Sequence, residues 1–178
     1  LLTISRVGVQ IYIGVTALIA LVVAVAAVAI VFFPNPQIAK NLEAAPDIAL
    51  PVILVGAGLV LGTLYLSFLF ALQLGRIIRT VGRGDPFEPA NAYRIERMGW
   101  YALWATIGNW VIAAFAAWLG RHFDAINVKI NGGWSLGGLA LAVTLFILAR
   151  VFRHGAAMRA DLDGTITSWN DGAERLYG

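Results

Sequence analysis

The side chains able to do chemistry in this chain gather in one short stretch. Residues 74–100, LGRIIRTVGRGDPFEPANAYRIERMGW, stand between two long apolar runs and hold Asp85, Glu88, Asn91, Arg94, Glu96 and Arg97. Asp85-Pro86-Phe87-Glu88 has the spacing of a helix start, with an acidic cap, proline at the first position and an acid three residues after the cap. Pro89 would remove the next helical hydrogen bond, so the spacing predicts one short turn and then a second start capped by Asn91. An ordered polar turn on a rigid scaffold can recognise a partner, and Asp85, Phe87, Asn91, Arg94 and Arg97 are its candidate contacts. The plainer reading of the same residues is a well-capped connection.

Elsewhere the inventory is thin. The chain has no cysteine, which leaves neither a disulfide nor a thiolate metal site. Its two histidines, His122 and His154, fall at opposite ends of the expected topology and are not placed to share a metal. No paired acid and base or activated nucleophile emerges, so neither an enzyme nor a cofactor is expected. Inside the apolar runs the polar candidates are Gln73 and Asn109. An asparagine facing lipid leaves its amide unsatisfied, so Asn109 is expected to point into a helix bundle and bond a neighbour. A place on a ligand or ion path is the alternative, but the only Asp, Glu, Lys or Arg within a run is Arg150 near the end of the fourth, whereas such paths usually need charged residues inside the span.

The elements that must position these residues are helices in lipid. Hydrophobic residues make up 60% and charged residues 13% of the chain, against about a quarter charged in soluble domains. The apolar residues form four runs, at about 9–33, 48–74, 98–119 and 135–152, each near the roughly 20 residues of helix that cross a hydrocarbon core. A period of two, the mark of membrane strands, is missing. The first run is too long for a signal peptide's apolar region and ends in Phe32-Phe33-Pro34 rather than at a small-residue cleavage site. Leu1 in place of a starting Met predicts residues upstream.

The expected fold is an all-α membrane protein, a four-transmembrane-helix bundle. Gly58 and Gly62 in the second run have the small-xxx-small spacing that lets helix backbones approach. Gly133 and Gly137 at the start of the fourth run, together with Asn109, complete the expected packing positions. Trp100, Trp104 and Trp118 sit where interfacial anchors belong.

Of the 13 Lys and Arg residues, ten (Arg6, Arg76, Arg79, Arg83, Arg94, Arg97, Arg150, Arg153, Arg159, Arg175) fall on one side of the bilayer, against Lys40, Arg121 and Lys129 on the other. That bias predicts both termini and the 74–100 connection in the cytoplasm. The +3 net charge thus reports orientation in the lipid bilayer, and no direct nucleic-acid binding is expected, since no basic run or fold signature accompanies it.

Two stretches carry a resemblance. Gly84-Asp85-Pro86-Phe87-x-Pro89-x-Asn91-Ala92-x-Arg94-Ile95-x-Arg97-Met98-Gly99-Trp100 resembles the signature of a bacterial inner-membrane family known as "domain of unknown function twenty-nine seventy-five". Leu148 to Gly155, with Met158-Arg159-x-Asp161-Leu162, is similar to that family's C-terminal pattern. The likeness covers residues 1–162, and implies a small four-helix inner-membrane protein without catalytic residues, often thought of as a companion of small helix-turn-helix regulators. The tail, 163–178, resembles instead the strand and helix that open a PAS sensor domain, DGxIxxWNxGAExLxG. It implies the membrane portion of a longer signalling protein, or else a polar tail of chance similarity.

Three functional readings follow: a sensory or regulatory membrane module with a cytoplasmic partner, a structural accessory subunit of a larger membrane complex, and, least supported, a small transporter or channel.

Overall fold

In a computed structural model, the unbroken apolar sequence after Leu1 winds into a helix, α1 (Leu2–Phe32). A helix is the backbone form that satisfies its own hydrogen bonds without water. Three more follow: α2 (Pro46–Val81), α3 (Pro89–His122) and α4 (Gly137–Tyr177). The structure describes residues 2–33, 46–83, 86–122 and 136–177. All four helices contain a segment long and apolar enough to cross a membrane: Ser5–Phe32, Leu50–Val81, Pro89–Arg121 and Gly137–Ile166. They outrun the four apolar runs of the sequence because the polar residues beyond each run continue the same backbone hydrogen bonding into the headgroup region.

Each helix packs on its neighbours in sequence, α1 on α2, α2 on α3 and α3 on α4, as short connections between antiparallel helices favour. The centre of the packing lies between α3 and α4. Ile95, Met98 and Ala102 on α3 meet Ala142, Leu145 and Ala149 on α4, with Phe70, Leu74 and Ile77 of α2 closing the cluster from the side. Both triplets recur at i, i+3 and i+7, one stripe on each helix.

Close approaches are made at glycines, but not at those the small-xxx-small spacing singles out. A Cβ on Gly99 would lie 2.9 Å from Phe146 of α4, on Gly108 2.7 Å from Thr63 of α2, and on Gly155 2.8 Å from the Phe87 ring. Gly138 presses on Thr106 in the same way. A Cβ on Gly58 or Gly62 would meet nothing within 4 Å among the described residues. The expectation that this pair packs against another helix of the chain is corrected. The face of α2 that meets α3 carries Gly56, Thr63 and Thr80 instead, and helical geometry turns 58 and 62 away from it. Gly137 is the exposed first residue of α4, and Gly133 lies outside the described residues.

Hydroxyls within the spans stay satisfied locally. Thr16, Thr63, Ser67, Thr106 and Thr144 each donate to the carbonyl four residues back, at 2.7 to 3.1 Å. α1 has the most apolar window, mean hydropathy 3.0 against 1.5 for α3 and α4. Ile11, Leu18, Leu21, Val22 and Val25 are all exposed on it, a surface suited to lipid.

The tail departs from its resemblance. Where a PAS opening would run as a strand, residues 163–177 continue α4 without a break. Among the described residues there is no strand for an extended segment to pair with, and the helix alone supplies partners for these backbone groups.

Candidate functional site at the turn between the second and third helices

The turn is built from the end of α2 upward. α2 closes with Gly82 N–H donating to Ile78 O at 3.1 Å and Arg83 N–H to Thr80 O at 3.0 Å. α3 starts at Pro89, two residues before the start expected at Asn91. Proline costs nothing at the first helical position, where its missing N–H would have had no partner. Pro89 therefore opens α3 rather than interrupting it. Asn91 is inside the first turn, its own N–H donating to Glu88 O at 2.8 Å, so its side chain is free for another task.

That task is to join α2 to the turn. Asn91 is fully buried, with 0% of its surface exposed. Its Oδ1 accepts from the Thr80 hydroxyl at 2.9 Å and from Arg94 Nη1 at 2.8 Å, and its Nδ2 donates to Pro86 O at 3.1 Å. The two donors and the carbonyl acceptor together dictate which way the amide faces. Thr80 is also 2.8 Å from Ile77 O, so its one proton is shared. Arg94 approaches Glu88 Oε2 at 3.9 Å. Among the described residues no buried side-chain nitrogen or oxygen is left without a partner.

Phe87 projects from the turn onto α4, its ring centroid 5.5 Å from that of Phe152 and tilted by 40°. Gly155 lets it come that close. Glu96 of α3 accepts from Arg153 of α4 at 2.7 Å. Arg97, exposed, lies 4.7 Å above the Tyr93 ring, a cation–π arrangement.

Of the candidate contacts, then, Asn91 and Arg94 come together in one network, Phe87 packs separately on α4 with part of its ring exposed, and Arg97 stands apart, exposed, on α3. Asn91 cannot meet a partner, being wholly enclosed; that expectation is corrected. Asp85 lies outside the described residues. Thr80 and Gly155 were not singled out by the sequence. Thr80 looks like any residue of a helix end, and its pairing across eleven residues is visible only once the two helices fold back.

Asn109 also differs from expectation. It is exposed and makes no hydrogen bond among the described residues. It lines a cavity of about 220 Å³ with Tyr12, Phe70, Tyr101 and Thr106. The buried polar position on that face is Thr106, one turn earlier, because α4 packs there through Gly138. Gln73, the other polar residue of the runs, is buried and accepts from Arg76 Nη1 at 3.4 Å. Among the described residues no three His, Cys, Asp or Glu side chains gather as metal ligands would.

Among the described residues, four membrane-length helices in three successive hairpins, tied at one end by a buried amide, define a multi-pass integral membrane protein of the four-helix class. The chain belongs to the family described as protein of unknown function DUF2975, whose model matches residues 36–166. That match takes in the turn, the α3–α4 core and most of α4, and ends before the last of the PAS-like tail. No curated protein and no solved structure matches the chain.

Proposed function

We propose that the protein is a non-enzymatic regulatory or sensory module of the bacterial inner membrane, with both termini and the α2–α3 turn in the cytoplasm. In this reading the turn and the first part of α3 dock a cytoplasmic partner. The observation that carries it is the locked turn. Asn91, Thr80 and Arg94 spend their polar groups on rigidity, while Tyr93 and Arg97 beside them are left exposed, aromatic and basic. Such a pair is a common anchor composition at interfaces. A rigid mount lowers the entropy cost of binding.

The test is photo-crosslinking in cells from position 97, with a probe at Leu18 on the lipid-facing side of α1 as reference. A discrete protein adduct from position 97 that disappears on Tyr93→Ala and is missing from position 18 supports docking. The same adducts from both positions, or none from 97, defeat it.

A second reading, a structural accessory subunit, draws on Gly58 and Gly62. With nothing within 4 Å of either, they leave room for a helix of another protein to approach. Migration on a native gel as an isolated small species, unchanged by Gly58→Leu, would count against it.

A further inference from the structure

At the end of the molecule where α2 turns into α3, the basic residues divide into two groups. On the α3–α4 side two of them meet a carboxylate, Arg94 with Glu88 at 3.9 Å and Arg153 with Glu96 at 2.7 Å, and Arg97 lies over the Tyr93 ring. On the α1–α2 side four arginines, Arg6, Arg76, Arg79 and Arg83, are exposed, and none is paired with a carboxylate among the described residues.

α1 brings Arg6 to the end of α2 that carries the other three. α1 runs alongside the end of α2 with Val9 against Gly75, where an added Cβ would lie 3.4 Å from Val9 Cγ1. Seven residues further along the chain from Gly75, the Arg6 guanidinium reaches over Gly82. A Cβ there would lie 2.8 Å from Arg6 Nη2. Arg76 and Arg79 lie one turn apart near the end of α2, and Arg83 stands in the turn just past its last residue, Val81. Arg79 Nε donates back to Gly75 O at 3.4 Å and Arg76 Nη1 to Gln73 at 3.4 Å. Both side chains are thereby turned toward the apolar part of α2, level with the end of its span. That level is where lipid phosphates lie.

We infer that Arg6 of α1, Arg76 and Arg79 of α2 and Arg83 of the turn after it form a binding site for the phosphate headgroup of an anionic phospholipid. Guanidinium groups present several donors in a plane matched to phosphate oxygens. A cluster of them without a carboxylate among the described residues leaves a charge that one or two phosphates complete. The acyl chains would lie along the exposed apolar faces of α1 and α2, which begin at Val7 and Val81 beside the cluster. The site holds whichever side of the membrane this end occupies, and does not depend on a cytoplasmic partner.

Native mass spectrometry of the full chain in mild detergent tests it, with equal amounts of phosphatidylglycerol and phosphatidylcholine added. The unaltered chain is expected to retain phosphatidylglycerol about tenfold over phosphatidylcholine, at about fivefold for each arginine engaged and less where two share one phosphate. R6Q/R79Q/R83Q should lose that preference, while R121Q/R150Q/R175Q, which removes the same charge elsewhere, should keep it. R6Q alone, a change at an exposed position, should lower it by up to about fivefold and guards against misfolding of the triple variant. Equal retention of the two lipids by the unaltered chain overturns the site. So does equal loss in both triple variants, which would make net charge the cause. Displacement by excess inorganic phosphate would overturn it too, by showing a site for a free anion rather than a lipid.

Discussion

The Thr80 hydroxyl and the Asn91 side-chain oxygen lie 2.9 Å apart, and this contact ties the last turn of α2 to the first turn of α3. Both residues are buried, so neither can exchange its partner for water. Removing the amide strands the Pro86 carbonyl and leaves Arg94 with only the more distant Glu88, while the Thr80 hydroxyl keeps Ile77 O. A buried group left unsatisfied costs about 1–3 kcal/mol, more when charged. Asn91→Ala is therefore expected to destabilise the protein by about 3 kcal/mol and Thr80→Val by about 1 kcal/mol. Asn91→Asp keeps the acceptor for Arg94 but not the donor to Pro86, and falls between them. Unfolding in mild detergent, followed by circular dichroism, measures all three.

The glycines make a paired prediction. Gly99→Ala and Gly155→Ala force a methyl to within 2.9 Å of Phe146 and 2.8 Å of Phe87. Overpacking of this kind costs about 1–3 kcal/mol. Gly58→Ala and Gly62→Ala meet open space and should gain a few tenths of a kcal/mol to about 1 kcal/mol from helix propensity. The same unfolding measurement separates the two pairs. Large losses at 58 and 62 would mean that those glycines pack against something other than this chain.

The Glu96–Arg153 pair is short, at 2.7 Å, but its side chains are 38% and 63% exposed. Water and salt screen such a pair, so a double-mutant cycle with Glu96→Gln and Arg153→Gln should give a coupling of about 0–1 kcal/mol. Raising the salt concentration should reduce it further. The Phe87–Phe152 contact one turn away, ring on ring at 5.5 Å, should give a coupling of about 0.5–1.5 kcal/mol that salt does not change.

Topology can be read with single cysteines, since the chain has none of its own. Val81→Cys and Thr165→Cys are expected to react with a membrane-impermeant maleimide only from the cytoplasmic side. Arg121→Cys should react only from the other. Labelling of positions 81 and 165 from opposite sides would break both the orientation and the continuity of α4.

The sequence alone determined the membrane class, the number of helices and the place of the connections. Each depends on the length and purity of apolar runs, and lipid admits one spanning form for such runs. Family membership was legible from the residues around Asp85 to Trp100 for the same local reason. What tertiary structure alone decided is where each polar or small residue faces. Asn91 reads as a cap until Pro89 takes the first position of α3, which frees its side chain to reach Thr80 on the helix before. Gly58 and Gly62 read as packing residues until the α2–α3 face selects Gly56, Thr63 and Thr80. Asn109 reads as interhelical glue until α4 packs at Thr106 and leaves it facing a cavity. In each case the alternatives differ by a rotation of the helix about its axis, and the partner helix supplies the energy that selects one. Hydrophobic periodicity gives little guidance in helices apolar on nearly every side.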